Sequence, residues 1–290
     1  VMPRSGQLAV DSAREEIRQL FMERITQAKG LDGLSGLVPV ILPTPMAALQ
    51  GALLGAQGTE EEEGWGDLLV VDVGGATTDV HSIGYGQATG PQIVEQGLPE
   101  AFAKRTVEGD LGIRFNAGTL LDRVGLDEFE KEFRAGFPEF QTSRAKITEY
   151  IQQISQETFR VPQENWQSAV DAQLARIAVD LAVERHVGKR ERIITREGEA
   201  WVYYGKDLSE TRTLIGTGGV FIYNSHAAHI LSPAGGGNRR CDVLRPKSPS
   251  LFVDASYLLY AVGLLSQSQP DVAARLFKKN MRPLDVAPTA

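Results

Sequence analysis

The stretch Leu68-Leu69-Val70-Val71-Asp72-Val73-Gly74-Gly75-Ala76-Thr77-Thr78-Asp79-Val80-His81-Ser82-Ile83 decides how this chain reads. An apolar run ends on a carboxylate, two glycines follow, and two threonines lead to a second carboxylate. A short apolar run bounded by glycine reads as a buried strand, and the polar residues after it sit at its exposed end. Gly74 and Gly75 carry no Cβ, so backbone N–H groups there can approach an anion closely. The hydroxyls of Thr77 and Thr78 suit phosphate oxygens, and Asp72 suits a magnesium ion held directly or through its waters. A hairpin closed by a plain Gly-Gly turn is the alternative. The Asp–Gly-Gly–Thr–Asp order at the end of an apolar strand favours a grip on the terminal phosphates of a nucleotide.

Composition sets the class around that stretch. At 290 residues the chain has room for about two domains. Its 42% hydrophobic and 23% charged content are those of a soluble globular protein. No apolar run approaches the roughly 18 residues of a membrane span, and no signal peptide is visible, so no membrane partner is expected. The single cysteine, Cys241, excludes an internal disulfide framework and fits a reducing, cytoplasmic compartment. A net charge of −7 without a basic stripe argues against nucleic acid as a partner. Val1 is not an initiator methionine, and the sequence reads as one entered part-way through a longer protein.

Residues 1–58 read as helical. Ser12-Ala13-Arg14-Glu15 forms a capping-box pattern, Ile17, Leu20, Phe21 and Ile25 follow at helical spacing, and Gly30 suits the stop. Pro43-Thr44-Pro45 opens a second helix, Met46 to Leu54, ending near Gly55. Glu60 to Glu63 lie in a charged, solvated loop. After the hairpin, Pro91 to Glu95 is expected to add a third antiparallel strand, and residues 104–160 read as short helices between Gly109, Gly112, Gly125 and Gly136. A long helix after Pro162 places Trp166, Val170, Leu174, Ile177 and Leu181 on one face, with Gly188 near its stop. Trp201 to Tyr204 and Thr213 to Ile215 read as strands, Gly216-Thr217-Gly218-Gly219 as a second glycine turn, and Ser232 to Arg240 as a loop. Final helices are expected over Ala255 to Leu265 and Asp271 to Lys279. The pattern is α/β or α+β, with strands clustered in the middle.

Two glycine signatures at strand ends, separated by a largely helical insert, suggest a nucleotide held between them. This arrangement resembles the actin-like ATPase superfamily of sugar kinases, actin and heat-shock chaperones. The chaperones' second phosphate motif runs Asp-Leu-Gly-Gly-Gly-Thr-Phe-Asp-Val, and Asp72-Val73-Gly74-Gly75-Ala76-Thr77-Thr78-Asp79-Val80 follows it nearly position by position. Pro45-Met46-Ala47-Ala48-Leu49 resembles the connecting helix before that motif, and Leu214-Ile215-Gly216-Thr217-Gly218-Gly219 the adenosine motif. Asp254-Ala255-Ser256-Tyr257 through Gly263-Leu264-Leu265 resembles the final connecting helix. Within the superfamily, Gly74 to Ser82, Arg105-Thr106-Val107-Glu108-Gly109-Asp110-Leu111-Gly112-Ile113-Arg114 and the Tyr257 to Leu265 helix are similar to the MutL/GlmL family, associated with glutamate mutase and aminomutases. The resemblance covers nearly the whole chain.

That resemblance implies an α/β, actin-like ATPase (ribonuclease H-like) fold: a second lobe with a helical insert, and an incomplete first lobe. Residues 1–58 would be the helical end of the first lobe and the connecting helix. Residues 59–253 would be the second lobe, and residues 254–290 C-terminal helices returning to the first. It implies the ATP-binding part of a reactivating chaperone for adenosylcobalamin-dependent mutases, glutamate mutase or an aminomutase, exchanging damaged corrinoid for intact cofactor. ATP and magnesium would be its cofactors, and the mutase and ATP/ADP its partners. Asp72 and Thr77 would serve catalysis, Asp72 also positioning magnesium. Gly74, Gly75, Ala76, Thr77, Thr78 and Asp79 would hold phosphates, with Asp79 equally readable as a structural acceptor. Gly216, Thr217, Gly218 and Gly219 would hold adenosine. Glu108 and Asp110 could approach the ribose or the cleft, or simply cap a helix.

The departure is a first phosphate motif, Asp-x-Gly-Ser/Thr, which nothing before Asp72 matches. ATP hydrolysis is therefore expected only where that half of the site is supplied. Two other readings stay open: a hydantoinase/oxoprolinase-type ATP-dependent hydrolase, which shares an Asp-x-Gly-Gly-x-x-Thr-Asp-Val signature, and a non-catalytic interaction module of the same fold. His226 and His229 stand i, i+3 on an expected helix without a third ligand at metal spacing, and His81 reads as a half-buried strand residue. Trp65, Trp166 and Trp201 read as packing residues.

Overall fold

In the computed structural model, which describes residues 42–86, 93–196, 198–236 and 242–284 together with 12, 13, 16, 17, 19 and 20, the run Leu68–Val73 is strand β1 and Thr78–Ile83 is β2. The two pair antiparallel, from Val73 opposite Thr78 to Leu68 opposite Ile83. They sit inside a six-stranded sheet ordered β4-β2-β1-β7-β8-β9, with β4 at Ala103–Glu108, β7 at Thr213–Thr217, β8 at Ser250–Asp254 and β9 at Met281–Pro283. Strands β1, β7 and β8 are parallel, while β2, β4 and β9 run antiparallel to their neighbours. Strand β1 has a neighbour on each edge and helices on each face, so Leu68 to Val71 are apolar without alternation and fully buried.

One face of the sheet is covered by α1 (Thr44–Gln57) and by the two helices that follow β8. Leu68, Val70, Ile83 and Ile215 pack there against Ala48, Ala52, Val262 and Phe277. Each of the leucine, isoleucine, valine and phenylalanine side chains contributes about 1.5–3 kcal/mol on burial. The other face is covered by α5 (Asn165–His186), which lies between the sheet and the helical insert α2 (Ala117–Val124), α3 (Leu126–Gly136) and α4 (Arg144–Gln156). Val71, Val80 and Leu214 press on α5 from below, and Phe129, Phe133, Tyr150 and Ile154 complete the same core beyond it. Between two layers, α5 is buried on more than the one stripe its periodicity suggests. The short helices α6 (Gly219–Tyr223) and α7 (Ala227–Leu231) follow β7. The chain then forms α8 (Leu259–Leu265) and α9 (Pro270–Asn280). Helices α1 and α8 cross in backbone contact: a Cβ on Gly51 would overlap the Leu259 carbonyl, and one on Gly263 the Ala47 carbonyl.

Several sequence expectations are revised. The strand beside β2 is β4, which lies in the stretch read as helical. Ile93–Gln96 (β3) instead pairs parallel with β6 (Gly198–Tyr204), in a second sheet that β5 (Lys189–Thr195) completes. Lys-Arg-Thr-Val-Glu hides β4 because this edge strand is charged at three of five positions and nowhere fully buried, so it carries no apolar stripe. Asp254 ends a strand rather than opening a helix, and α8 starts only at Leu259. The acidic loop is not merely solvated: Lys278 of α9 donates to Glu62 at 2.9 Å. His81 is fully buried, and its ring nitrogens have no hydrogen-bond partner among the described residues. Burial, aided by Arg105, pushes it down to about 3, so the ring is neutral. Trp65 packs on Phe252 and Phe277, and Trp166 on Tyr150. Residues 12, 13, 16, 17, 19 and 20 are helical, whereas Gly30, Pro91 and Cys241 lie outside the described residues. No described helix is long and apolar enough to cross a membrane.

Candidate functional site

The β1–β2 turn is pinned from one side. The Ile113 amide donates to the Gly74 carbonyl at 3.1 Å, and those of Arg114 and Phe115 donate to the Gly75 carbonyl at 2.9 and 3.0 Å. The Asn116 side-chain amide donates to the Ala76 carbonyl at 2.9 Å. Gly112 lies so close beneath the turn that a Cβ there would overlap Ala76. The Gly74 amide is spent on the Thr77 carbonyl at 2.9 Å. With the carbonyls drawn back, the amides of Gly75, Ala76 and Thr77 have no acceptor among the described residues. Successive unbonded amides in a turn form a concavity that suits an anion. Gly74, expected among the donors, is therefore not one of them, and the free set is shifted by one residue.

Acidic groups gather beside this turn. Asp72 and Asp79 face each other across the β1–β2 pair, two carboxylates at directly opposite positions. Arg105 relieves Asp79, its Nη2 lying 2.6 Å from Oδ1, and the Thr77 hydroxyl donates to Asp79 at 3.1 Å. Asp254, fully buried, accepts from the Thr217 hydroxyl at 2.8 Å, from the amides of Leu258 and Leu259 at 2.9 and 3.0 Å, and from Asn280. Asp72 alone of the three receives no hydrogen bond from a described residue. Burial, then the charges of Asp79 and Asp254, push it up to about 7 against the pull of Arg105. Its carboxylate suits a hydrated divalent cation, which would offset the negative field. No group of three or more His, Cys, Asp or Glu ready to bind a metal occurs among the described residues, so Asp72 would meet a cation as a single ligand.

The second glycine turn closes the adjacent strand, β7. Gly218 has φ 107°, and a Cβ there would overlap the Val73 carbonyl and lie 2.9 Å from Asp72 Oδ1. A cavity of about 770 Å³ opens between the two turns and is lined by Gly74, Gly75, Gly218, Gly219 and Tyr257. Its far wall comes from the α4–α5 connection and the start of α5, including Phe159, Arg160, Asn165 and Ser168. Arg114 and Asp171 also line it, paired at 2.6 Å, with the Tyr150 hydroxyl donating to Asp171 at 3.1 Å.

Other residues singled out from sequence are placed elsewhere. Thr78 is fully buried and donates its hydroxyl to the Leu111 carbonyl at 2.7 Å, so it faces the core rather than the cavity. Glu108 and Asp110 both pair with Arg185 of α5, and Asp110 also with Arg123 at 2.7 Å. Arg185 holds Asp110 down at about 2, and neither acid lines the cavity. A Cβ on Gly216 would press on the Phe221 ring, and the Thr217 hydroxyl belongs to Asp254; of that quartet only Gly218 and Gly219 reach the cavity. His226 and His229 flank the Phe137 ring at 4.9 and 4.7 Å. The wall from Thr158 to Ser168 carried no local signature; only the long insert before it hinted that something folds over the turns.

A family model described as MutL protein matches residues 1–281. A relative described as Protein MutL, from Clostridium tetanomorphum, is 39% identical over 280 residues, covering 96% of this chain and 59% of the relative. The chain thus spans about three fifths of the length of that curated relative. On a family model that runs nearly end to end and a relative aligned over almost the whole chain, the protein belongs to the MutL family.

Proposed function

We propose that this chain is the nucleotide-binding second lobe of an actin-like ATPase, with ATP and magnesium as its cofactors. The observation that carries the reading is the turn at Gly75–Thr77. Three amides without acceptors stand there beside the Asp72 carboxylate, which accepts no bond from a described residue, and Gly75 of that turn lines a cavity large enough for a nucleotide. The residues fit the absent groups. The amides of Gly75, Ala76 and Thr77 would hold the terminal phosphates, the Thr77 hydroxyl being engaged by Asp79, and Asp72 would orient the waters of the cation. Gly218 and Gly219 leave a flat backbone for the nucleoside. Phe159 and Tyr223, 97% and 87% exposed on the cavity wall, offer free faces for a base, and the Arg160 Nε–H, buried without an acceptor among the described residues, offers a donor. Bound magnesium supplies charge neutralisation to phosphoryl transfer, and the protein contributes positioning and preorganised donors.

In this reading residues 59–253 are the second lobe, and α1 with residues 254–290 connect to the first. Hydrolysis in the whole protein relies on a first phosphate motif contributed from beyond the residues matched here. The work done is reactivation of an adenosylcobalamin-dependent mutase in the cytoplasm, where nucleotide-driven cleft closure moves a mutase-contacting surface. Support for the mutase comes from the family resemblance in Gly74–Ser82 and Arg105–Arg114. Calorimetric titration of the full-length protein with ATP is the test. Heat that depends on magnesium and disappears in Asp72→Ala is the expected result, and equal heat in both proteins removes Asp72 from the role.

A further inference from the structure

Among the described residues, Tyr257 is the one non-glycine residue with a positive φ, at 53°. An L-residue in this region is strained by roughly 1–2 kcal/mol. The turn from Asp254 to Leu258 could be built at lower cost with glycine or asparagine. What the strain holds in place is therefore the side chain. Its ring meets Tyr260 edge-on at 5.7 Å and lines the cavity together with Gly74, Gly75 and Gly218. Its hydroxyl has no hydrogen-bond partner among the described residues. The turn that carries it is tied to the end of β7 beside Gly218, because Asp254 accepts from both the Thr217 hydroxyl and the Leu258 amide, so the ring stands at the glycine-turn end of the cavity. Burial, then the charges of Asp72 and Asp254, hold it protonated, pushed up to about 12, and a protonated phenol is a donor at neutral pH.

We propose that Tyr257 reads the terminal phosphoryl group of a nucleoside triphosphate, its hydroxyl donating to an oxygen of the anion held over the Gly75–Thr77 amides. The inference rests on the nucleotide reading above and adds the discrimination between triphosphate and diphosphate. A donor lost from a charged acceptor weakens binding by about tenfold or more, and the diphosphate, lacking that acceptor, is spared. Tyr257→Phe keeps the ring, the Tyr260 contact and the strained backbone, so its fold is expected to be native by denaturant titration.

The experiment is calorimetry of the native full-length protein and Tyr257→Phe with ATP and with ADP, each with magnesium. A loss of about tenfold for ATP and none for ADP supports the assignment. Unchanged ATP affinity, or an equal loss for both nucleotides, overturns it while leaving the nucleotide site standing. A native protein that binds neither nucleotide overturns both readings.

Discussion

Gly74-Gly75 and Gly218-Gly219 follow neighbouring parallel strands, β1 and β7, and both pairs line one cavity. The first turn is held by its carbonyls, with four bonds from Ile113 to Asn116 drawing them back and leaving amides outward. The second is held by space: Gly218 fits between Val73 and Asp72 only because nothing projects from its Cα. One turn offers the Gly75, Ala76 and Thr77 amides as donors, and the other offers clearance. The same dipeptide therefore serves two chemistries, and what surrounds it decides which.

Substitutions should separate the two turns, beginning with the largest effect. Gly218→Ala combines an overlap with the Val73 carbonyl and a left-handed φ, and is expected to cost about 3 kcal/mol or more in denaturant unfolding. Gly112→Ala lifts the first turn from below. It is expected to cost about 2 kcal/mol and to abolish ATP binding, whereas a loss of stability with native binding would show that the 112–116 support is not what exposes the amides.

Asp72→Asn should act in the opposite direction on stability. Because the folded chain raises Asp72 to about 7, it holds that proton more tightly than the unfolded chain does, and stability declines as pH rises from the ordinary carboxylate range to about 7. Removing the charge is expected to stabilise the protein by about 1 kcal/mol at mildly alkaline pH, after allowance for solvent screening, and to erase the magnesium dependence of ATP binding. A destabilised Asp72→Asn would mean that a partner relieves Asp72 in the folded state. Gly219→Ala, with nothing within 4 Å of the added Cβ, should change stability by less than about 0.5 kcal/mol. Its Cβ enters the cavity, so weaker nucleotide binding on an intact fold is expected there.

The β1–β2 unit was legible because its information is local: an apolar run, a glycine turn and a return strand lie within 16 residues from Leu68 to Ile83. Strands β4, β8 and β9 were not. The first is a charged edge, and the other two are short, with β8 taking its place only through contact with β7 and β9. Site residues divide in the same way. Asp72, Gly75, Ala76, Thr77, Gly218 and Gly219 lie where the turns themselves put them. Glu108 and Asp110 looked like ligands because acids flank a glycine, yet Arg185, 75 or more positions away, claims both. Thr78 differs from Thr77 only in strand parity, which turns its hydroxyl into the core. The cavity's far wall and Tyr257 depend on chain reversals that no spacing announces.

The central claim is that the Gly75, Ala76 and Thr77 amides receive nucleotide phosphate. Nitrogen-15 NMR of the labelled protein, titrated with ATP and magnesium, reads those amides directly. Saturable shifts at Gly75, Ala76 and Thr77, clearly larger than at the already bonded Gly74, are the expected result. Nucleotide binding that leaves these three resonances unmoved would contradict the account.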